Sequence, residues 1–202
     1  MTKKNWLYIS FFTALVLIFY IVLMALVPGF GKKQKPVLSY VRPFAFRDQD
    51  GQTITNKDVD GKVYVAEFFF TTCKSICPIM NNNMRTVYDH FKDDRNFLIL
   101  SHTSDPGNDS VERLKKYADS MAVSSSTWIF LTGRKDSLYN MARVSYIIDD
   151  KNNNVVNISD DFIHTQHWAL VNKKGKVVGI YDGLKPSEVK TMIGDIEELL
   201  KE

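Results

Sequence analysis

The sequence predicts an α/β sandwich, a mixed sheet with flanking helices, carried behind one transmembrane helix. Three observations lead there. Residues 6–27 contain no charged residue at all. Short apolar runs at 62–70, 96–101 and 127–131 alternate with segments of helical periodicity. Two further runs, 167–172 and 176–181, are joined by a Lys-Lys-Gly turn and followed by a last amphipathic segment. Strand alternating with helix builds parallel pairing, and the turn-linked pair adds an antiparallel hairpin.

The chain has 202 residues, which fits one membrane segment plus one domain of ordinary size. It is 45% hydrophobic and 24% charged, the balance of a folded protein. Net charge is only +3 and the lysines are scattered apart from a small group at 32–35, so no nucleic-acid surface is expected. Two cysteines are too few for a disulfide framework, and a domain of about 160 residues buries a core without one.

Lys3 and Lys4 precede the apolar run 6–27. As a helix its roughly 22 residues span a bilayer core of about 30 Å, with Trp6 placed for one interface. A cleaved signal has an apolar core of about 7–15 residues ending in a small-x-small site. This run is longer, and Met24-Ala25-Leu26-Val27-Pro28 makes a poor site, so an uncleaved anchor is read. Lysines on its two sides nearly balance, and charge alone does not orient it.

Residues 1–5 form a short N-terminal segment, 6–27 the anchor, 28–42 a Gly- and Lys-containing linker, and 43–202 the folded domain. The domain opens on 44–46, the turn Asp48-Gln49-Asp50-Gly51, and 52–55, which reads as a hairpin. Residues 62–70 (KVYVAEFFF) read as a central strand. Met80, Met84, Val87, Tyr88 and Phe91 recur at helical spacing over 79–91, and 96–101 is a second buried strand. Strand, helix, strand is a βαβ unit. Residues 110–121 form a helix with Ser110 as N-cap, 127–131 a strand, and 137–146 a helix. The polar stretch 149–161 reads as an inserted loop or hairpin. The hairpin 167–181 and the helix 186–200 close the domain. This order describes a thioredoxin-like sandwich.

Both cysteines, Cys73 and Cys77, lie in the stretch between the first central strand and its helix. That is the carboxyl edge of an open α/β sheet, where chemistry is usually sited. A helix N-terminus presents free N–H groups and the positive end of a dipole, which favour thiolate. Pro78 suits the first helical turn, where no N–H is needed. Four residues apart, the sulfurs come to one side of a helical turn, able to share a metal ion or close into a disulfide. Two thiolates with one imidazole suit Cu(I), or Cu(II) with a further ligand. Of the four histidines, His90 reads as a surface residue. His102 ends the second central strand and reads as a surface or supporting residue. His164 and His167 point to opposite faces if the chain is extended there, so at most one reaches the cysteines.

These residues carry a family resemblance. Cys73-Lys74-Ser75-Ile76-Cys77-Pro78 resembles the CxxxCP motif of the Sco/SenC copper-chaperone family, which assists assembly of cytochrome c oxidase. Ser104-Asp105-Pro106-Gly107-Asn108-Asp109-Ser110 is similar to its DPxxD[TS] stretch, and Trp128-Ile129-Phe130-Leu131-Thr132-Gly133 to its W-x-FLTG segment. His164-Thr165, ahead of the Gly175 turn, resembles its ligand histidine. The resemblance implies copper, as Cu(I) or Cu(II) or both, held by Cys73, Cys77 and His164, with His167 left out. Asp105 and Asp109 take structural or supporting places. Ile163 stands where the family often has Asp before its histidine, and Asn81-Asn82-Asn83 replaces expected acidic residues. The resemblance further implies a domain on the exported face of the membrane. Its partners there are the copper-binding subunit of a terminal oxidase or another cuproprotein, and a thiol reductant.

The competing expectation is a thiol–disulfide oxidoreductase or redox sensor working through Cys73 and Cys77. Against a plain thioredoxin stand the CxxxC spacing and the lack of any proline between Pro106 and Pro186. Against a peroxiredoxin, Ala66 and Phe70 occupy the Pro and Thr positions of its P-x-x-x-T-x-x-C pattern. A metallochaperone is therefore expected before an enzyme.

Overall fold

The computed structural model describes residues 2–26, 35–149 and 161–202. The chain divides into two units, 1–35 and 36–202. In the first, α1 (Lys3–Leu26) is a continuous helix with no buried residue, long and apolar enough to cross a membrane.

The second unit is built on one eight-stranded sheet. In chain order its strands are β1 (Ser39–Tyr40), β2 (Ala45–Asp48), β3 (Thr53–Thr55), β4 (Val63–Phe69), β5 (Phe97–Thr103), β6 (Trp128–Thr132), β7 (His167–Val171) and β8 (Lys176–Asp182). Their spatial order is β1-β8-β7-β4-β5-β6-β2-β3. β4, β5 and β6 are mutually parallel, so the predicted parallel pair extends to a third strand. β7 runs antiparallel to β4, and β2 antiparallel to β6. The fold is thioredoxin-like, as the order of elements predicts.

The helices are α2 (Asn56–Val59), α3 (Cys77–Phe91), α4 (Val111–Met121), α5 (Lys135–Asn140) and α6 (Pro186–Leu200), with a π-helical turn, Met141–Ser145, continuing α5. Every residue of β4, β5 and β6 is buried, because helices cover both faces of the sheet. Alternation then sorts their side chains. Val63, Val65 and Phe69 join Phe97, Ile99, Trp128 and Phe130 under α3, α4 and α6. Tyr64, Ala66 and Phe68 join Leu98, Leu100, Ile129 and Leu131 under α5 and the π turn.

Local chemistry explains the boundaries. α3 starts at Cys77 rather than at residue 79, so Pro78 sits inside its first turn. Ser110 caps α4 by accepting from the Arg113 N–H at 3.3 Å. α2 is a single turn closed by a capping box between Thr55 and Asp58, too short to show periodicity. Helix 137–146 is instead α5 plus the π turn, where the Tyr146 N–H reaches back to Met141 at 2.8 Å. β1 falls within the stretch read as linker, pairing Ser39 and Tyr40 with β8. The rest of that linker through 34, and the inserted segment at 150–160, lie outside the described residues.

Candidate functional site

β4 delivers the chain to the site and α3 takes it away. Between them, the Cys73 N–H donates to the Phe70 carbonyl at 3.1 Å, closing a tight turn. The helix begins without a side-chain cap at Ile76. Cys73 fills that role: the Cys77 N–H donates to Cys73 Sγ at 3.4 Å. Ser75 Oγ lies 3.6 Å from the same sulfur. Both cysteines are free thiols, Cys73 half-buried and Cys77 buried.

Their environments divide them. Burial opposes ionisation of Cys73, but hydrogen bonds from Cys77 and Ser75 outweigh it and bring the thiol down to about 6. Burial pushes the Cys77 thiol up to about 12, and its neighbour Cys73 adds to the effect. At neutral pH the site therefore holds one thiolate and one thiol.

The turn is fixed from beneath by Asp109. This buried carboxylate accepts from the Thr71 N–H at 3.2 Å, from the Thr71 hydroxyl, and from the Thr103 hydroxyl at 2.6 Å. Arg113 donates to Thr71 Oγ1 at 2.8 Å from α4. Asp105 is turned away, accepting from Asn108.

His164 arrives on the segment before β7, and its flanks are anchored. Arg143 from the π turn grips Asp161 with two nitrogens, at 2.6 and 3.0 Å. The Ile163 N–H donates to the Tyr139 hydroxyl at 3.3 Å, and Thr165 Oγ1 donates to the Ile148 carbonyl at 2.8 Å. Ile163 is buried, and His164 is exposed. The His164 ring stands 6.1 Å from that of Phe70, which also packs edge-on against Phe162 at 5.0 Å. Phe70 thus touches the cysteine turn through its carbonyl and the histidine segment through its ring. Among the described residues no three His, Cys, Asp or Glu side chains converge closely enough to enclose a metal ion.

His167 is exposed and approaches Thr165 Oγ1 at 3.4 Å. The strand begins only at His167, and both histidines border one open groove of about 400 Å³ over Ile148 and Ile180. His90 is exposed as expected and meets Glu197 at 2.8 Å. His102 is not a surface residue. It is fully buried on the opposite side of the sheet from the cysteines, stacked on Phe68 at 5.1 Å and edge-on to Phe46 and Tyr146. Burial drives it down to about 4, so it is neutral. Strand alternation explains the misplacement, since Ser101 takes the cysteine side.

Sequence reasoning missed Glu67. It lies on the same face of β4 as Val65 and Phe69, under α3, with 1% of its surface exposed. Its signal was present: one acid inside an otherwise apolar strand.

The profile of the SCO1/SenC family matches residues 32–201. The chain belongs to the SCO1/SenC family. It is 33% identical over 170 residues to the SCO1 protein homolog of Bacillus subtilis, covering 83% of this chain and 86% of that one. Among solved structures it is similar to BsSco, described as a cytochrome c oxidase assembly protein with a disulfide switch. The identity is 32% and the TM-score 0.69, covering 82% of this chain and 96% of the other. It is also similar to yeast Sco1 with copper bound, at 25% identity and TM-score 0.58, over 83% of this chain and 95% of the other.

Proposed function

We propose that this SCO1/SenC protein binds copper through Cys73, Cys77 and His164 and delivers it to the binuclear copper site of cytochrome c oxidase during assembly. The observation that carries the reading is the pairing of two free thiols at the start of α3 with a histidine held across Phe70. Thiolate and imidazole are the donor set that copper favours. Cys73 is already ionised near neutral pH, and a bound cation draws the proton from Cys77. His164 is exposed on a backbone anchored on both sides, by Ile163 and by Thr165. Copper in yeast Sco1 and the assembly role of BsSco support the assignment.

In this reading residues 6–27 anchor the protein in the membrane, 28–42 form the linker, and the domain 43–202 works on the exported side. The acceptor is the copper-binding subunit of a terminal oxidase or another cuproprotein, and a thiol reductant keeps the cysteines reduced. Cu(I) titration of the reduced protein tests it: about one Cu(I) per chain is expected. His164→Ala weakens binding strongly, while His167→Ala leaves it intact. Unchanged affinity in the His164 variant removes that residue from the ligand set.

A second reading has its own observation. An ionised, accessible Cys73 beside a protonated, buried Cys77 is the arrangement of an attacking and a resolving thiol. The pair then reduces a partner's disulfide, and the disulfide switch of BsSco supports this. Exchange activity that survives His164→Ala but neither cysteine variant distinguishes it from copper binding.

A further inference from the structure

His167 stands beside the site without a role in it. It opens β7, is exposed, and borders with His164 the open groove of about 400 Å³ over Ile148 and Ile180. His164 belongs to both surroundings. It borders the groove, and its ring stands 6.1 Å from that of Phe70, whose carbonyl closes the cysteine turn. Two imidazoles three residues apart thus share one open surface at the edge of the cysteine site.

The hydrogen bonds around Thr165 fix the form of the His167 ring. Thr165 Oγ1 has one hydrogen, and the Ile148 carbonyl takes it at 2.8 Å. That carbonyl is itself held: the Ile148 N–H donates to the Ala142 carbonyl at 3.0 Å, and Ile147 before it sits at φ +51, a left-handed conformation that β-branched residues avoid. Thr165 Oγ1 also accepts the His167 backbone N–H at 3.2 Å and lies 3.4 Å from His167 Nδ1. With its hydrogen already given, the hydroxyl can only accept from the ring, so Nδ1 carries the ring hydrogen. Nε2 keeps its lone pair, the form in which imidazole binds a metal.

The rest of the groove narrows the metal. Its one acid, Asp149, is engaged by Arg143 at 2.7 Å, so its charge is already matched. Calcium and magnesium need several oxygen ligands, and the groove offers imidazoles instead. Imidazole suits Cu(II), which binds such donors more tightly than the other divalent first-row ions.

We propose that His164 and His167 form a loading site for Cu(II) on this groove, from which the metal passes to Cys73 and Cys77 with His164 kept as a ligand throughout. The proposal rests on the copper-binding reading of the cysteines. In the transfer, the bond from His167 Nε2 to the metal breaks while bonds from Cys73 Sγ and Cys77 Sγ form. A hydrogen carried by either sulfur leaves to solvent. No electron moves, and copper remains Cu(II). The shared His164 keeps the metal on the protein during the exchange, and the stronger thiolate donors draw it onward.

The test uses the full chain in detergent micelles with Cys73→Ser and Cys77→Ser together, so that the groove is read without the sulfurs. Titration with aqueous Cu(II), followed by electron paramagnetic resonance, is expected to give about one Cu(II) per chain with the splitting of two imidazole nitrogens. Adding His164→Ala or His167→Ala should weaken binding about 100-fold, because the second imidazole then no longer acts from the same segment. Thr165→Val, which frees the His167 ring, should cost about 10-fold, and Thr165→Ser should restore the affinity. His90→Ala, which removes the histidine paired with Glu197, should change nothing. In the chain with both cysteines, rapid mixing with Cu(II) reads arrival at the sulfurs by thiolate-to-copper absorption. Below saturation that rate follows occupancy of the groove, so His167→Ala should slow it by the same factor and leave its final amplitude unchanged. A cysteine-free chain that binds no Cu(II), or binds it equally well with His167→Ala, overturns the proposal. So does binding that is lost with His90→Ala, or loading that His167→Ala does not slow. A native chain that holds no copper at its sulfurs in either oxidation state removes the copper-binding reading itself, a separate result that needs no variant.

Discussion

The backbone N–H of Cys77 donates to Cys73 Sγ at 3.4 Å, so one cysteine caps the helix that the other begins. This relationship makes the two thiols unequal. Cys73 gathers the orphan donors of a helix start, while Cys77, one helical position in, is carried into the core under α3. A metal site, an exchange site and a disulfide all draw on the same asymmetry.

Cys73 should therefore alkylate well before Cys77. With its thiol brought down to about 6, its reaction with iodoacetamide should rise through that pH and level off by neutrality. Cys77, held at about 12, should remain largely unmodified until the chain is denatured. Peptide mass spectrometry after timed alkylation at several pH values reads both sites. Equal rates at the two cysteines would show that the N–H···S cap does not govern reactivity.

Asp109 is expected to control that reactivity from a distance. Asp109→Ala leaves the buried Thr103 hydroxyl and the half-buried Thr71 donors without their acceptor, at a cost of about 2 kcal/mol measured by urea denaturation. The freed Thr71 turn also loosens the cap, so the alkylation midpoint of Cys73 should climb toward that of an ordinary thiol. Asp109→Asn, which keeps one acceptor oxygen, should lose less on both measures.

Much of this architecture was legible because the period of the apolar residues was clear. β4 and β5 read as strands from continuous apolar runs, and α3 from Met80, Met84, Val87 and Phe91, all buried on one face. The cysteine pair was legible from its place at a strand-to-helix junction. What stayed hidden depends on long-range packing. The two-residue β1 exists only through its pairing with β8, and the π turn has no period of its own in sequence. His102 was placed by its position along β5, yet its function depends on which face it takes, and a one-residue alternation reverses that. Glu67 needed the third dimension, because its partner Ser101 stands on the neighbouring strand rather than on its own.

Tyr139 should matter to the histidine as much as to the core. Its hydroxyl donates to the Ser104 carbonyl at 2.8 Å and accepts from the Ile163 N–H at 3.3 Å, next to His164. Tyr139→Phe leaves both backbone groups buried and unpartnered, with an expected loss of about 2 kcal/mol in urea denaturation. Copper affinity should fall with it while Cys73 alkylation is unchanged, since the cysteine turn hangs on Asp109 instead. A parallel fall in Cys73 reactivity would mean that the two halves of the site are not independently held.

Glu67 and His102 should impose opposite pH slopes on stability that largely cancel. Glu67 rises from 4.5 to about 7 on folding, so the folded state binds its proton more tightly. Its contribution is present below 4.5 and is lost as pH rises through about 7. His102 falls from 6.5 to about 4, so the unfolded state binds its proton more tightly. Its contribution is present above 6.5 and is lost as pH falls through about 4. Each amounts to about 3 kcal/mol, and their windows overlap between about pH 4.5 and 6.5. Across that range these two groups leave the native chain nearly flat. Glu67→Gln should unmask the histidine, giving stability that climbs with pH. His102→Phe, which fits the ring against Phe46, Phe68 and Tyr146, should unmask the carboxyl, giving stability that falls with pH. Urea midpoints of the three proteins at several pH values separate the slopes, and two variants with slopes of the same sign would exclude opposed burial of these groups.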